Sequence, residues 1–149
     1  MKTENAFNAF LSLEMKKLGT QFKSLKLSER YHIGIADFIV FGCDGKSAAI
    51  ECKFVSKIKS RGQLLNHPVS GAQLSFLKGM TLAGVNSWVL IGVEPLKMMA
   101  LIPSESFPVS GNCDVEWFKT SVLNTQSDTY CFPFSNVNDL VFKALTHGR

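Results

Sequence analysis

The stretch from Gly34 to Phe54, Gly-Ile-Ala-Asp-Phe-Ile-Val-Phe-Gly-Cys-Asp-Gly-Lys-Ser-Ala-Ala-Ile-Glu-Cys-Lys-Phe, constrains the fold more than any other part of the chain. Two apolar runs, 36–42 and 47–55, flank the turn Cys43-Asp44-Gly45-Lys46. Asp-Gly between hydrophobic runs predicts a β-hairpin, because both residues tolerate the positive φ of a type I′ turn. Three charges interrupt the hairpin: Asp37, Glu51 and Lys53. On a strand, Glu51 and Lys53 point to one face, while Ile50, Cys52 and Phe54 point to the other and read as core. A carboxylate and an ammonium on such a strand carry a desolvation penalty unless paired or bound to a metal. Function is therefore sought here first.

The rest of the chain supplies helices and strands around this hairpin. Residues 4–18 read as a helix, with Phe7, Phe10, Leu11, Met15 and Leu18 at helical spacing and Gly19 as its stop. Glu4 projects onto the stripe of Phe7 and Leu11, and Glu14 falls at its edge, so angle alone does not choose between them. Glu4 also reads as a dipole partner and Glu14 as a solvated flank. Residues 20–33 are polar and basic, with Lys23, Lys26 and Arg30, and hold one short strand. Past the hairpin, Lys57, Lys59 and Arg61 lie in a loop running to His67-Pro68. They are candidate phosphate contacts, and an ordinary solvated loop explains them equally well.

Residues 70–83 read as a second helix, opened by a Ser70/Gln73 capping box and closed by Gly84, with Leu74, Phe76, Leu77, Met80 and Ala83 inward. Gln73 is explained by the box, yet it also projects toward the sheet. Residues 86–93 are almost continuously apolar, which suits a strand buried on both faces. Strand, helix, strand predicts a right-handed crossover between parallel strands. Met98–Ile102 reads as a further strand stopped by Pro103, residues 104–133 carry only weak signal, and 136–146 read as a closing helix with Val137, Leu140, Val141 and Leu145 inward. The expected order is α-β-β-(β)-α-β-β-α, an α/β (α+β) mixed sheet with helices packed on it.

A chain of 149 residues, 46% hydrophobic with 12 Phe, is expected to fold as a single domain over 1–149 with a real core. Its net charge of +4 is compatible with a polyanionic partner without requiring one. Cys43, Cys52, Cys113 and Cys131 form no Cys-x-x-Cys pair, which speaks against a zinc site and a disulfide framework. Reduced thiols, an N-terminus without an apolar leader and no run of membrane-spanning length predict a cytoplasmic protein with no membrane partner.

The hairpin count brings Asp37 across from Glu51. Two converging carboxylates repel unless a cation lies between them. Oxygen donors favour a hard ion, Mg²⁺ first and Mn²⁺ as its substitute. Such an ion polarises a phosphodiester and lowers the pKa of a water, and Lys53 can orient that water or stabilise developing charge. The competing reading is a solvent-exposed Glu/Lys pair on an edge strand plus a turn aspartate.

Asp37…Glu51-x-Lys53 resembles the signature of the PD-(D/E)XK nuclease superfamily. Gly34-Ile35-Ala36-Asp37 resembles the Gly-x-Pro-Asp of its VRR-NUC group, with Ala36 in place of the usual proline. Ser70-Gly71-Ala72-Gln73-Leu74 followed by Gly84 resembles that group's Ser-x-x-Gln helix and glycine stop. The first helix, with its acid at Glu4, is similar too, and 67–103 resembles the RecU-type Holliday-junction resolvases. The resemblance covers about residues 4–103 and leaves 104–149 as an unmatched extension. It implies a restriction-endonuclease-like αβββαβ core. It further implies that Asp37, Glu51 and the Cys52 carbonyl bind the metal, with Glu4 supporting through a water, Lys53 serving the attacking water and Gln73 a polar group over the site.

The function so implied is a Mg²⁺-dependent DNA endonuclease of recombination or repair, with a phage origin and host-cytoplasm location as one version. A branched or Holliday-junction substrate would be cut symmetrically by a homodimer. A sequence-specific homing or restriction-like endonuclease is the alternative within the enzyme class. A non-catalytic DNA-binding protein is the alternative outside it, which Glu51 disfavours because a carboxylate beside phosphates is repulsive without metal.

Overall fold

A computed structural model describes residues 1–27, 34–124 and 129–147. The 28–33 part of the basic segment, Arg30 included, lies outside the described residues. Six strands form one sheet in the order β1-β2-β3-β4-β5-β6: β1 Phe22–Lys26, β2 Phe38–Gly42, β3 Ser47–Val55, β4 Asn86–Val93, β5 Met98–Pro103 and β6 Tyr130–Pro133. Neighbours pair antiparallel except β3 and β4, which run parallel across the helix α2, Gly71–Leu82. A parallel pair needs such a crossover, so the apolar run at 86–93 and the helix before it are explained together.

Each face of the sheet carries its own core. On one side α1, Glu4–Lys16, and α4, Val137–Thr146, cover Phe38, Val40, Ile50, Cys52, Leu90 and Leu101. Helical spacing puts Phe7, Leu11 and Met15 of α1 into this layer, and full burial of each such side chain is worth roughly 1.5–3 kcal/mol. On the other side Leu77 of α2 packs with Ile39, Ala49, Val89, Ile91 and Ile102. β3 lies between β2 and β4 and is buried on both faces, so the edge-strand reading of Glu51 and Lys53 does not hold.

Local signals resolve as follows. Thr3 caps α1, its hydroxyl accepting from Ala6 N at 3.1 Å. Glu14 pairs with Lys17 at 3.0 Å, which takes it out of the choice against Glu4. The α2 terminus closes as a Schellman motif, with Val85 N donating to Met80 O, Gly84 N to Thr81 O, and Gly84 at φ +92°. Of the residues expected to face inward on α2, only Leu77 is fully buried, and Ala83 is exposed. The hairpin turn is not type I′. Gly45 alone has positive φ (+86°), Gly45 N donates to Gly42 O and Gly42 N to Lys46 O. This is a type I turn followed by a left-handed glycine, stabilised by Asp44 Oδ1 accepting from Lys46 N at 3.1 Å. Asp44 needs no positive φ in this arrangement, which is sterically easier for a non-glycine residue.

Residues 104–133 hold more than their weak signal suggested. A single helical turn, α3 Val115–Trp117, runs into a π-helical segment Phe118–Leu123, and β6 adds an edge to the sheet. The stretch also clamps the loop after β3. Leu64 N donates to Cys113 O, Val69 N to Gly111 O and Val115 N to Gly62 O. The buried Asn112 side chain accepts from Leu65 N (2.9 Å) and Cys113 N (2.8 Å) and donates to Leu65 O (2.8 Å). A Cβ on Gly111 would stand 1.9 Å from Val69 O, so only glycine permits this approach. We expect Asn112→Ala, which strands three buried main-chain partners, to lower stability by about 3 kcal/mol, read as a lower urea midpoint at unchanged m value. An unshifted midpoint would mean the clamp contributes nothing.

Candidate active site

The register of the hairpin places the first acid. Phe38 pairs with Ile50, and one step further along the same register sets Asp37 opposite Glu51. Asp37 lies just before β2, and its Oδ2 accepts from Cys52 N at 2.8 Å. An extended residue sends its N–H and C=O to the same strand edge. The Cys52 carbonyl therefore leaves β3 on the side that Asp37 occupies. Leu27 N donates to Asp37 O at 2.8 Å, which ties the residue to β1 as well.

Gly34 sets the approach of this segment. It has φ +93°, and a Cβ there would stand 2.5 Å from Ala72 Cβ. The chain leading to Asp37 thus rests directly on the first turn of α2. Ala36, where the resemblance has proline, is buried in the core on the α2 side.

Glu51 is 1% exposed and Lys53 7%, on the sheet face that α2 covers. Gln73 serves both roles that its position suggested. Its Oε1 accepts from Ser70 N (2.9 Å) and its own N–H donates to Ser70 Oγ (3.1 Å), forming the capping box. Its Nε2 donates to Glu51 Oε1 at 2.7 Å. One amide therefore starts the helix with its oxygen and holds the buried carboxylate with its nitrogen. Lys53 Nζ stands 3.8 Å from Glu51 Oε1 and 3.8 Å from Glu4 Oε1, between two carboxylates and beyond hydrogen-bond length to either.

The Cys52 thiol reports the field at this point. Burial pushes it well above the usual thiol range, and the charges of Asp37, Glu51 and Glu4 push it further, against a smaller pull from Lys26. The Cys52 side chain packs into the core on the α1 and α4 side, away from the face that carries Glu51, so its main-chain carbonyl is the group available as a donor. Among the described residues no cluster of three or more His, Cys, Asp or Glu side chains could hold a metal unaided. The available set is the Asp37 and Glu51 carboxylates plus the Cys52 carbonyl. This all-oxygen set fits a hard divalent ion such as Mg²⁺ or Mn²⁺.

The structure thus gathers Asp37, Glu51, Lys53, Gln73 and Glu4. Lys57, Lys59 and Arg61 are exposed on the loop leaving β3. Lys26, which the sequence shows only as one of a basic segment, has its Nζ 5.5 Å from the Phe38 ring, where the pairing of β1 with β2 puts it. Sequence reasoning passed over a polar cleft of about 410 Å³ beside Lys53 and Glu4, whose other walls include Lys2, Asn66 and His67.

Two substitutions probe this geometry. Gln73→Ala and Glu51→Gln combined in a double-mutant cycle should show a coupling of about 1–3 kcal/mol in urea unfolding, and additive effects would contradict the contact. Gly34→Ala should lower stability by about 1–3 kcal/mol through left-handed strain alone, with the Ala72 clash in addition, measured by the thermal midpoint.

No protein-family model and no curated protein matches the sequence. Among solved structures, the Holliday junction resolvase Hjc of the archaeal hyperthermophile Archaeoglobus fulgidus aligns with probability 1.00 and TM-score 0.56 at 15% identity, covering 92% of this chain and 99% of that one. A VRR-NUC domain aligns with TM-score 0.44 at 20% identity, covering 64% of this chain and 90% of that one. The mixed six-stranded sheet with helices on both faces is thus a restriction-endonuclease-like α+β fold, shared with the archaeal resolvase.

Proposed function

We propose that the protein is a divalent-metal-dependent endonuclease that hydrolyses DNA phosphodiester bonds, with branched or junction DNA as its substrate. The observation that carries this reading is the arrangement around β3. A buried Glu51–Lys53 pair is held by Gln73, with Asp37 docked on the intervening Cys52 amide. A fixed, buried carboxylate and ammonium on one strand serve stability poorly compared with apolar residues. They serve phosphodiester chemistry well.

In this reading Asp37, Glu51 and the Cys52 carbonyl hold the ion, which when bound would polarise the phosphate and lower the pKa of a water. The Lys53 ammonium orients the attacking water or stabilises charge growing on the phosphate oxygens as one P–O bond forms and another breaks. Glu4 holds Lys53 from its far side. Gln73 fixes the rotamer of Glu51, so the carboxylate needs no reorganisation when substrate arrives. Lys57, Lys59 and Arg61 supply phosphate contacts along the strand. A junction cut on two strands needs two such sites, and we assign the second to another copy of the chain in a two-fold dimer. No helix among the described residues is long and apolar enough to cross a membrane.

The test is cleavage of four-way junction, nicked and linear duplex DNA with Mg²⁺, with Mn²⁺ and with EDTA. We expect metal-dependent cuts at the junction, and losses of at least about a hundredfold in Asp37→Asn and Lys53→Ala. Cuts at fixed sites in random linear duplex would instead indicate a sequence-reading endonuclease. Absence of cleavage on every substrate, or variants as active as wild type, would refute the nuclease reading.

A further inference from the structure

The polar cleft beside Lys53 lies outside the metal-holding set and takes in none of the loop cations Lys57, Lys59 and Arg61. Its walls come from two distant parts of the chain. Lys2, Thr3 and Asn5 enter from the start of α1, Asn66 and His67 from the loop after β3, and Lys53 reaches it from the sheet. The acid among its lining residues is Glu4, which stands 3.8 Å from Lys53 Nζ. The remaining polar groups are cations or neutral groups able to donate hydrogen bonds.

The cleft is also rigidly built. Leu65, one of its lining residues, is buried and has both its N–H and C=O bonded by the Asn112 side chain. Two residues past His67, Val69 N donates to Gly111 O at 2.7 Å. The wall bearing Asn66 and His67 is thus clamped at both ends by a segment more than forty residues away, as the separation of 47 between Leu65 and Asn112 shows. A solvated surface loop has no need of such a clamp, whereas a wall that must meet a ligand without rearranging has.

We propose that this cleft is a phosphate subsite for the DNA strand, taking the phosphodiester next to the one at Lys53, with Lys2 as its charged contact and His67, Asn66 and Asn5 as hydrogen-bond donors. The proposal rests on the nuclease reading for the identity of the ligand. It gives the strand a direction: from Asp37, past Glu51 and Lys53, toward the start of α1. Asn112 is then a positioning residue, acting through the Leu65–Val69 wall.

The experiment is binding of a fluorescein-labelled four-way junction in EDTA, followed by anisotropy over a range of salt concentrations. Wild type is compared with a Lys2→Gln/His67→Ala double variant and with Lys143→Gln, on α4. Lys2 and His67 are exposed, so the double variant should keep the wild-type thermal midpoint. We expect its Kd to rise about tenfold and the slope of log K against log salt to fall in magnitude by about one phosphate contact, with Lys143→Gln unchanged. A double variant that binds within twofold of wild type at equal slope would overturn the subsite, as would a wild type that does not bind the junction. The two readings separate cleanly. Weakened binding by a protein that never cuts would keep the subsite and sink the nuclease, whereas full cleavage with unchanged binding would sink the subsite alone.

Discussion

A carboxylate buried in the middle of a six-stranded sheet must be held by donors, and the site follows from how Glu51 is held. At 1% exposure it has lost nearly all contact with bulk water, and an ionised group so placed is tolerable only with close compensation. Gln73 supplies a hydrogen bond at 2.7 Å and Lys53 an opposite charge at 3.8 Å. The first demands that α2 begin where it does, because the amide that reaches Glu51 is also the capping residue of that helix. The second places Lys53 two residues along the same strand face, where Glu4 can reach it from α1. Helix start, strand register and site geometry are thereby a single arrangement.

Asp37 joins it by a different route. Its carboxylate accepts the main-chain N–H of Cys52, one residue beyond Glu51, so an acid takes a place on the edge of β3 just beyond the end of the β2 ladder. The contact of Gly34 with Ala72 then presses the Asp37 segment onto the same turn of α2 that carries Gln73. Elements far apart in sequence meet within one helical turn. This explains why a small, poorly buried helix matters: α2 contributes only Leu77 as a fully buried side chain, yet it positions two sides of the site.

Much of this was legible in the chain, for local reasons. The hairpin count gave Asp37 opposite Glu51, the capping box gave the start of α2, and alternation put Glu51 and Lys53 on one face. Each rests on short-range periodicity or turn chemistry. The turn type itself was misread, because Asp-Gly serves a type I turn with a left-handed glycine as readily as type I′. The choice between Glu4 and Glu14 was closed only by tertiary contacts, Glu4 to Lys53 and Glu14 to Lys17. β6 and the Asn112 clamp were invisible for a clear reason. Their meaning lies in partners tens of residues away, Leu65 for Asn112 and β5 for β6, and no period in the sequence encodes such pairing. The segment after 103, which carries none of the sequence motifs behind the resemblance, proves to be what holds the loop wall beside the site.

The central claim is that Asp37, Glu51 and the Cys52 carbonyl form the seat of a divalent ion. Crystals grown with Mn²⁺ and measured for anomalous scattering test it directly. The account predicts one strong peak within coordination distance, about 2.0–2.4 Å, of both carboxylates and the Cys52 carbonyl oxygen, absent in Asp37→Asn. A well-ordered site with no peak there, or manganese bound only elsewhere, would contradict it.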